Sequence, residues 1–216
     1  MRSWSFEWGT ADGDGGFVRL ALHPDDRVAW YWAYLWRPGL GPVVVRDHEV
    51  ALPRGRALEI RADSLWAELV CETPDEHWSI GLEAFAVALD TPEDALNGEI
   101  GERVAFGLDL EWETTDEGGR VRGDVLLGRD TIPVDTPGVF THADAPVVGF
   151  GERTIVAWDD GSWSDGAGAD IAVRSRALVP IDSGVVTRAL GAAGGVDGRR
   201  GTAWIESFLP SRERIG

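Results

Sequence analysis

The sequence predicts an all-β protein with little helix, folded as an antiparallel β-barrel or, as the alternative, a β-sandwich. Short segments that alternate apolar and polar side chains recur along the chain, with turn-forming Gly, Pro and Asp residues between them, a pattern typical of such folds. Hardly any stretch shows a convincing helical period. A closed barrel leaves no sheet edge exposed, and a barrel of about eight or more strands can hold one small apolar molecule.

A third observation is the segment 27–37, RVAWYWAYLWR. Successive side chains of a strand point to opposite faces, so one face would carry Val28, Trp30, Trp32, Tyr34 and Trp36. The opposite face would carry Ala29, Tyr31, Ala33 and Leu35. Because both faces are apolar, we expect the strand to be covered on both sides. It is either the central strand of a packed core or, on one face, the wall of a ligand cavity.

In the first half of the chain, alternation and turn residues predict strands over residues 4–10, 17–23, 27–37, 43–50, 57–61, 65–73 and 79–90. The last of these, SIGLEAFAVALD, has a composition that also suits a helix, but Gly81 and the neighbouring strands favour a strand. A loop follows over 91–98. It can hold one helical turn, with Thr91 as the cap and Pro92 at the first position.

In the second half, strands are predicted over residues 104–114, 121–127, 131–134, 154–158, 170–179, 185–190 and 202–209. A long irregular stretch, DTPGVFTHADAPVVGFG, separates the third of these from the fourth. No Pro/Ser-rich linker divides the chain, so we predict a single domain over 1–216. Two β halves, 1–117 and 118–216, are the fallback.

The formal net charge of −17 argues against a nucleic-acid partner and against binding to anionic membranes. The N-terminal stretch has no apolar signal region, and the single cysteine, Cys71, cannot form an intramolecular disulfide. These features predict a cytoplasmic protein. Separately, we expect a monomer or homodimer. Cys71 alternates with Leu65, Ala67 and Leu69, so we expect it to be a small buried residue.

No motif in the sequence names a reaction. A nucleophile elbow and a phosphate-binding glycine loop are both missing from the sequence. The four histidines lie far apart and lack the spacing of metal ligands. We therefore predict no cofactor and no metal.

Three polar residues are the candidates for catalysis: His77, Glu83 and His142. If the face of Glu83 is interior, burial would keep its carboxyl protonated and make it a usable general acid; otherwise it faces solvent. His142 and Asp144 are two apart on an extended segment, so they share a face and can work as a pair. The carboxylates at 109, 111 and 113 share one strand face, which we expect to be solvated.

Aromatic side chains are the candidates for ligand binding, because they dominate the lining of apolar pockets. The predicted set is Trp30, Trp32, Tyr34, Trp36, Phe85, Trp112 and Trp158.

Two segments, SWSFEWGTADGDGGFVRLALHP near the start and ERVAFGLDLEWET near the middle, resemble lipocalin-like (calycin) proteins of the AttH-like and carotenoid-hydratase-like group. The stretch THADAPVVGFGERTIVAWDDGSW would match a late histidine-containing segment of that group, with His142 in place of its histidine. The Trp-Gly pair that follows this histidine in the group is missing here. The resemblance implies a lipocalin-like barrel that binds isoprenoids, polyketides or other apolar molecules, and in some members cofactor-free hydration or cyclisation.

Together these observations predict a barrel that binds an isoprenoid, polyketide or steroid-like molecule in an aromatic-lined cavity. The alternative is a cofactor-independent hydratase, dehydratase, isomerase or cyclase that acts on such a ligand.

Overall fold

A computed structural model describes residues 2–54, 58–115, 118–144, 152–181 and 183–210. Most of these residues belong to antiparallel strands, and the one helical element among them is a short 3₁₀ helix, Pro92–Asn97. The prediction of an all-β fold with little helix is therefore confirmed. No helix in the described part of the chain is long and apolar enough to span a bilayer.

The first sheet has ten strands. They are β1 (Arg2–Gly9), β2 (Gly15–His23), β3 (Val28–Trp36), β4 (Val43–Ala51), β5 (Leu58–Ala62), β6 (Leu65–Thr73), β7 (His77–Leu89), β8 (Gly101–Thr115), β9 (Gly118–Leu127) and β10 (Asp130–Ala143). Their order across the sheet is β4-β3-β2-β1-β10-β9-β8-β7-β6-β5.

The first sheet curls into a ring because β7 is long enough to pair with two strands along one edge, while β8 pairs along its other edge. The beginning of β7 pairs with β6, whereas Val87 and Ala88 near its end pair with Val44 and Val43 of β4. The sheet is therefore ring-like, with β5 and β6 branching from β7. This architecture agrees with the predicted barrel and is also compatible with the sandwich alternative.

The second sheet has five strands. They are β11 (Arg153–Trp158), β12 (Trp163–Ser164), β13 (Asp170–Ile181), β14 (Gly184–Gly194) and β15 (Arg200–Pro210), in the order β12-β11-β15-β14-β13. This sheet packs against the outer face of the ring, where a core forms between the two sheets.

The aromatic strand β3 lies between two cores. Tyr31 and Leu35 belong to the core inside the ring, whereas Trp32, Tyr34 and Trp36 belong to the core between the sheets. The expected coverage of both faces is thus observed. The expectation that the aromatic face lines a cavity inside the ring is wrong, because that face points outward and the second sheet covers it.

The strand over 79–90 and the helical turn at Pro92 are both confirmed. Ile80 and Leu82 of β7 are buried while Glu83 is exposed, which is the alternation of a strand and not the period of a helix. The Asp94 carboxylate accepts hydrogen bonds from the backbone N–H and the hydroxyl of Thr91, at 2.8 and 2.9 Å. These bonds cap the 3₁₀ helix as the Thr-Pro start predicts.

Two expectations about the second half are wrong. The supposedly irregular stretch is in large part strand β10, which pairs with β1 from Ser3↔Ala143 to Trp8↔Gly138; residues 145–151 lie outside the described part of the chain. The fallback division at 117/118 would separate β8 from β9, although these strands pair from Phe106↔Leu127 to Thr115↔Gly118.

A buried ion cluster joins the two sheets. Arg188 of β14 is 2% exposed, and its Nη1 lies 2.7 Å from Oε1 of Glu7 on β1. Its Nη2 donates to Glu206 of β15, and the Nη2 of Arg153 reaches the same Glu7 oxygen at 2.9 Å. Burial alone lowers the pKa of Arg188, but the carboxylates of Glu7 and Glu206 outweigh it and raise this pKa. Arg188 therefore stays charged and ties three strands together.

Candidate ligand pocket at one end of the ring

A pocket of about 310 Å³ lies at the end of the ring where β1 begins and β10 ends. Its lining comes from β1, β5, β6, the turn after β6, β7 and β10. The lining residues are Arg2, Trp4, Leu58, Leu69, Cys71, Pro74, Asp75, Trp78, Phe140 and His142. This volume is at the small end of the range for ligand sites, roughly 300 to 1,000 Å³.

The pairing of β1 with β10 builds one wall of the pocket. Trp4 and His142 are directly opposite in the register, so their side chains share a face. Their rings stack with centroids 5.3 Å apart and planes inclined by 15°. Both side chains are therefore positioned by paired strands, and neither depends on a loop.

An aromatic cluster fills the ring directly beneath this wall. Phe140 lies 4.8 Å from Phe6, 5.3 Å from Trp78 and 5.1 Å from Trp112, measured between ring centroids. The indole N–H of Trp112 donates to the carbonyl of Gly138 at 3.3 Å, which fixes that ring. The cluster gives the pocket a rigid apolar floor, and the core inside the ring continues below it.

Charged side chains stand at the rim. Asp144 Oδ1 lies 3.4 Å from Nε2 of His142 and 3.3 Å from Nε of Arg2. The Arg2 guanidinium also lies over the ring of Trp4, with Cζ 5.1 Å from its centroid. The site thus combines an apolar lining with a few polar groups on one side, as small-molecule sites do.

The thiol of Cys71 is exposed and forms part of the pocket wall. The expectation that Cys71 is buried is therefore wrong. Leu69, two residues earlier on the same strand, is buried, but β6 ends two residues later at Thr73. Exposure of the thiol follows from its position at the open end of the ring.

The matching family spans most of the chain. Residues 2–164 match the family described as Domain of unknown function (DUF7064). The chain belongs to this family. No significant match was found among curated proteins or among solved structures. Within this DUF7064 member the matched region comprises β1 to β12, so every residue that lines the pocket lies inside it.

The three candidates for catalysis do not come together in this DUF7064 protein. His142 lines the pocket. His77 lies on the opposite face of β7 from Trp78, with Nε2 3.5 Å from Oε2 of Glu111. Glu83 is exposed on the outer face, so the interior carboxylate considered above is not formed.

The predicted ligand-binding aromatics are also dispersed. Trp112 lies under the pocket floor, in contact with Phe140. Phe85 is 61% exposed on the outside of the ring. Trp158 belongs to the second sheet, where its indole N–H donates to Ser164 at 3.0 Å. Trp30 stacks between two imidazoles outside the ring, with centroids 4.2 Å from His23 and 4.5 Å from His48.

Sequence reasoning missed the main lining residues Trp4, Trp78, Phe140 and Leu69. The alternation of Trp4, Phe6 and Trp8 did indicate a strand, although β1 is buried on both faces and not on one. It could not show that this strand pairs with β10, more than a hundred residues away in the chain. Among the described residues, no group of three or more His, Cys, Asp or Glu side chains is placed to hold a metal ion.

Proposed function

We propose that the protein binds a hydrophobic small molecule, of the size and character of a small isoprenoid, in the pocket at the end of the ring. The observation that carries this proposal is the joint lining by Trp4, Trp78 and Phe140, with His142 as the neighbouring polar side chain. Stiff aromatic walls that are already packed in place lose little entropy when a ligand enters. The resemblance of the sequence to AttH-like proteins implies the same class of ligand.

The polar side chains at the rim would fix the orientation of the ligand. An apolar body would contact the three aromatic rings, and a polar end would remain near His142 and solvent. A closed cavity is not needed for this mode of binding, because one side of the ligand can stay in contact with water.

Turnover of the ligand has less support than binding. Of the three candidates for catalysis, only His142 reaches the pocket, and its neighbour Asp144 is largely exposed at the rim. A general base needs the proton it abstracts within hydrogen-bond reach, and of the three candidates His142 is the one that lines the pocket. Binding is therefore the primary proposal.

Filling the pocket tests the proposal. Cys71→Trp places a bulky ring in the opening at an exposed position, so the fold should tolerate it. We expect this change to weaken binding of geraniol, a small isoprenoid alcohol, by at least about tenfold, which corresponds to 1.4 kcal/mol. Isothermal titration calorimetry measures the affinity.

The matched control is Leu126→Trp. Leu126 is half exposed in a separate apolar groove of about 430 Å³ beside Phe85, on the outside of the ring. This variant should bind geraniol like the unmodified protein. Loss of binding in the Leu126 variant with retention in the Cys71 variant would place the ligand in the outer groove and contradict the proposal.

A further inference from the structure

The charges around the pocket disfavour an anionic ligand. Asp75 lines the pocket and Asp144 stands at its rim. Among the described lining residues, Arg2 is the one that carries a permanent positive charge. Its guanidinium is already 3.3 Å from Asp144 and covers the face of Trp4. With a formal net charge of −17 on the whole chain, a ligand carboxylate would meet repulsion at close range and at long range.

The imidazole of His142 is the polar ring beside the apolar lining, and its neutral form has one hydrogen-bond acceptor. Asp144 lies 3.4 Å from Nε2 of His142, which favours the tautomer with its proton on Nε2. In that neutral tautomer Nδ1 is the acceptor of the ring. A ligand hydroxyl can donate to such an acceptor, whereas an ether oxygen cannot.

We infer that the pocket selects a neutral alcohol on an apolar hydrocarbon body over the corresponding carboxylate or ether. This inference rests on the proposed function, since it names the chemical class taken by the same pocket. It goes further by assigning discrimination to three residues, Asp75, Asp144 and His142.

Three probes with one hydrocarbon skeleton separate charge from hydrogen bonding: geraniol, geranyl methyl ether and geranate. At pH 7.5 geraniol should bind about tenfold more tightly than geranate, because of the rim carboxylates. It should bind about fivefold more tightly than the ether, because the ether cannot donate. The ether is the more apolar of the two neutral probes, so hydrophobicity alone predicts the opposite order.

Substitutions test which residues cause the preference for geraniol over geranate and over the ether. Asp75→Asn with Asp144→Asn should tighten geranate binding about tenfold and so remove most of the preference for geraniol over geranate. The control pair, Asp109→Asn with Asp124→Asn, removes two charges from exposed, cross-strand positions on β8 and β9 and should change neither affinity. His142→Phe keeps an aromatic ring against Trp4 and should abolish the preference for geraniol over the ether.

Affinity for geranate or the ether equal to or above that for geraniol would overturn the inference while leaving the pocket proposal standing. Equal effects of the pocket pair and the control pair would also overturn it, because the preference would then reflect net charge alone. Saturable binding of none of the three probes would overturn both the inference and the proposed function.

Discussion

Replacing Arg188 by alanine is expected to lower the free energy of unfolding by about 3 to 5 kcal/mol, the usual cost of breaking a buried ion pair from one side. Glu7 is 3% exposed and would keep its salt bridge to Arg153 but lose the one to Arg188. Glu206 would lose its salt bridge to Arg188, and Phe17 would lose the guanidinium that lies 4.4 Å from its ring centroid. Urea unfolding at pH 7 measures the change.

The control for this prediction removes one positive and one negative charge together, so the net charge of the cluster is unchanged. Arg188→Met with Glu206→Leu takes out one cation and one anion and fills their space with apolar groups, while Glu7 keeps Arg153. Because burial of charge is itself costly, the double variant should recover at least about half of the stability lost in Arg188→Ala. A loss below about 1 kcal/mol in Arg188→Ala would show that the ion cluster does not hold the sheets together.

The second large expected effect is the loss of stability on removing β13, β14 and β15, the strands that follow the family match. A chain that ends at Ser164 keeps β1 to β12 but loses β13, β14 and β15. The outer aromatic face of the ring, with Phe17, Trp32, Tyr34 and Trp36, would then lie open to water. At about 1.5 to 3 kcal/mol for each large apolar side chain, the loss approaches the whole stability of a typical domain. We expect this chain to aggregate.

Size-exclusion chromatography and urea unfolding check the truncated chain, with residues 1–210 as the control. The control keeps all the strands described and should behave as the 216-residue chain. A monomeric 1–164 chain that unfolds cooperatively at an unchanged midpoint would contradict the role assigned to the second sheet as the cover of the ring.

The period-two pattern of residues 27–37 correctly indicated a strand buried on both faces. It could not indicate which face lies inside the ring, because an aromatic face packs equally well against a second sheet. The orientation depends on β13 to β15, whose own patterns are much weaker. For the same reason the sequence could not show whether Glu83 faces the interior or solvent. Strand alternation places it outside only once Ile80 and Leu82 are known to point inward.

The pocket was harder to predict than the fold. Its residues come from five strands, and their meeting depends on strand order. The decisive pairing, between β1 and β10, joins Trp4 to His142. The sequence predicted a short strand over 131–134 and an irregular stretch from 135 onward, although β10 continues through Pro137 and Gly138. The closeness of His142 and Asp144 was predictable because it is local in the chain.

Protection of the Cys71 thiol tests the central claim most directly. Cys71 is the single cysteine of the chain and lines the pocket. With geraniol at ten times its dissociation constant, about one pocket in ten stays empty, so the rate of modification by a small thiol reagent should fall about tenfold. A thiol introduced as Asp109→Cys in a Cys71→Ser background, on the outside of the ring, should react at an unchanged rate. An unchanged rate at Cys71 under ligand saturation, or equal slowing of both thiols, would contradict binding in this pocket.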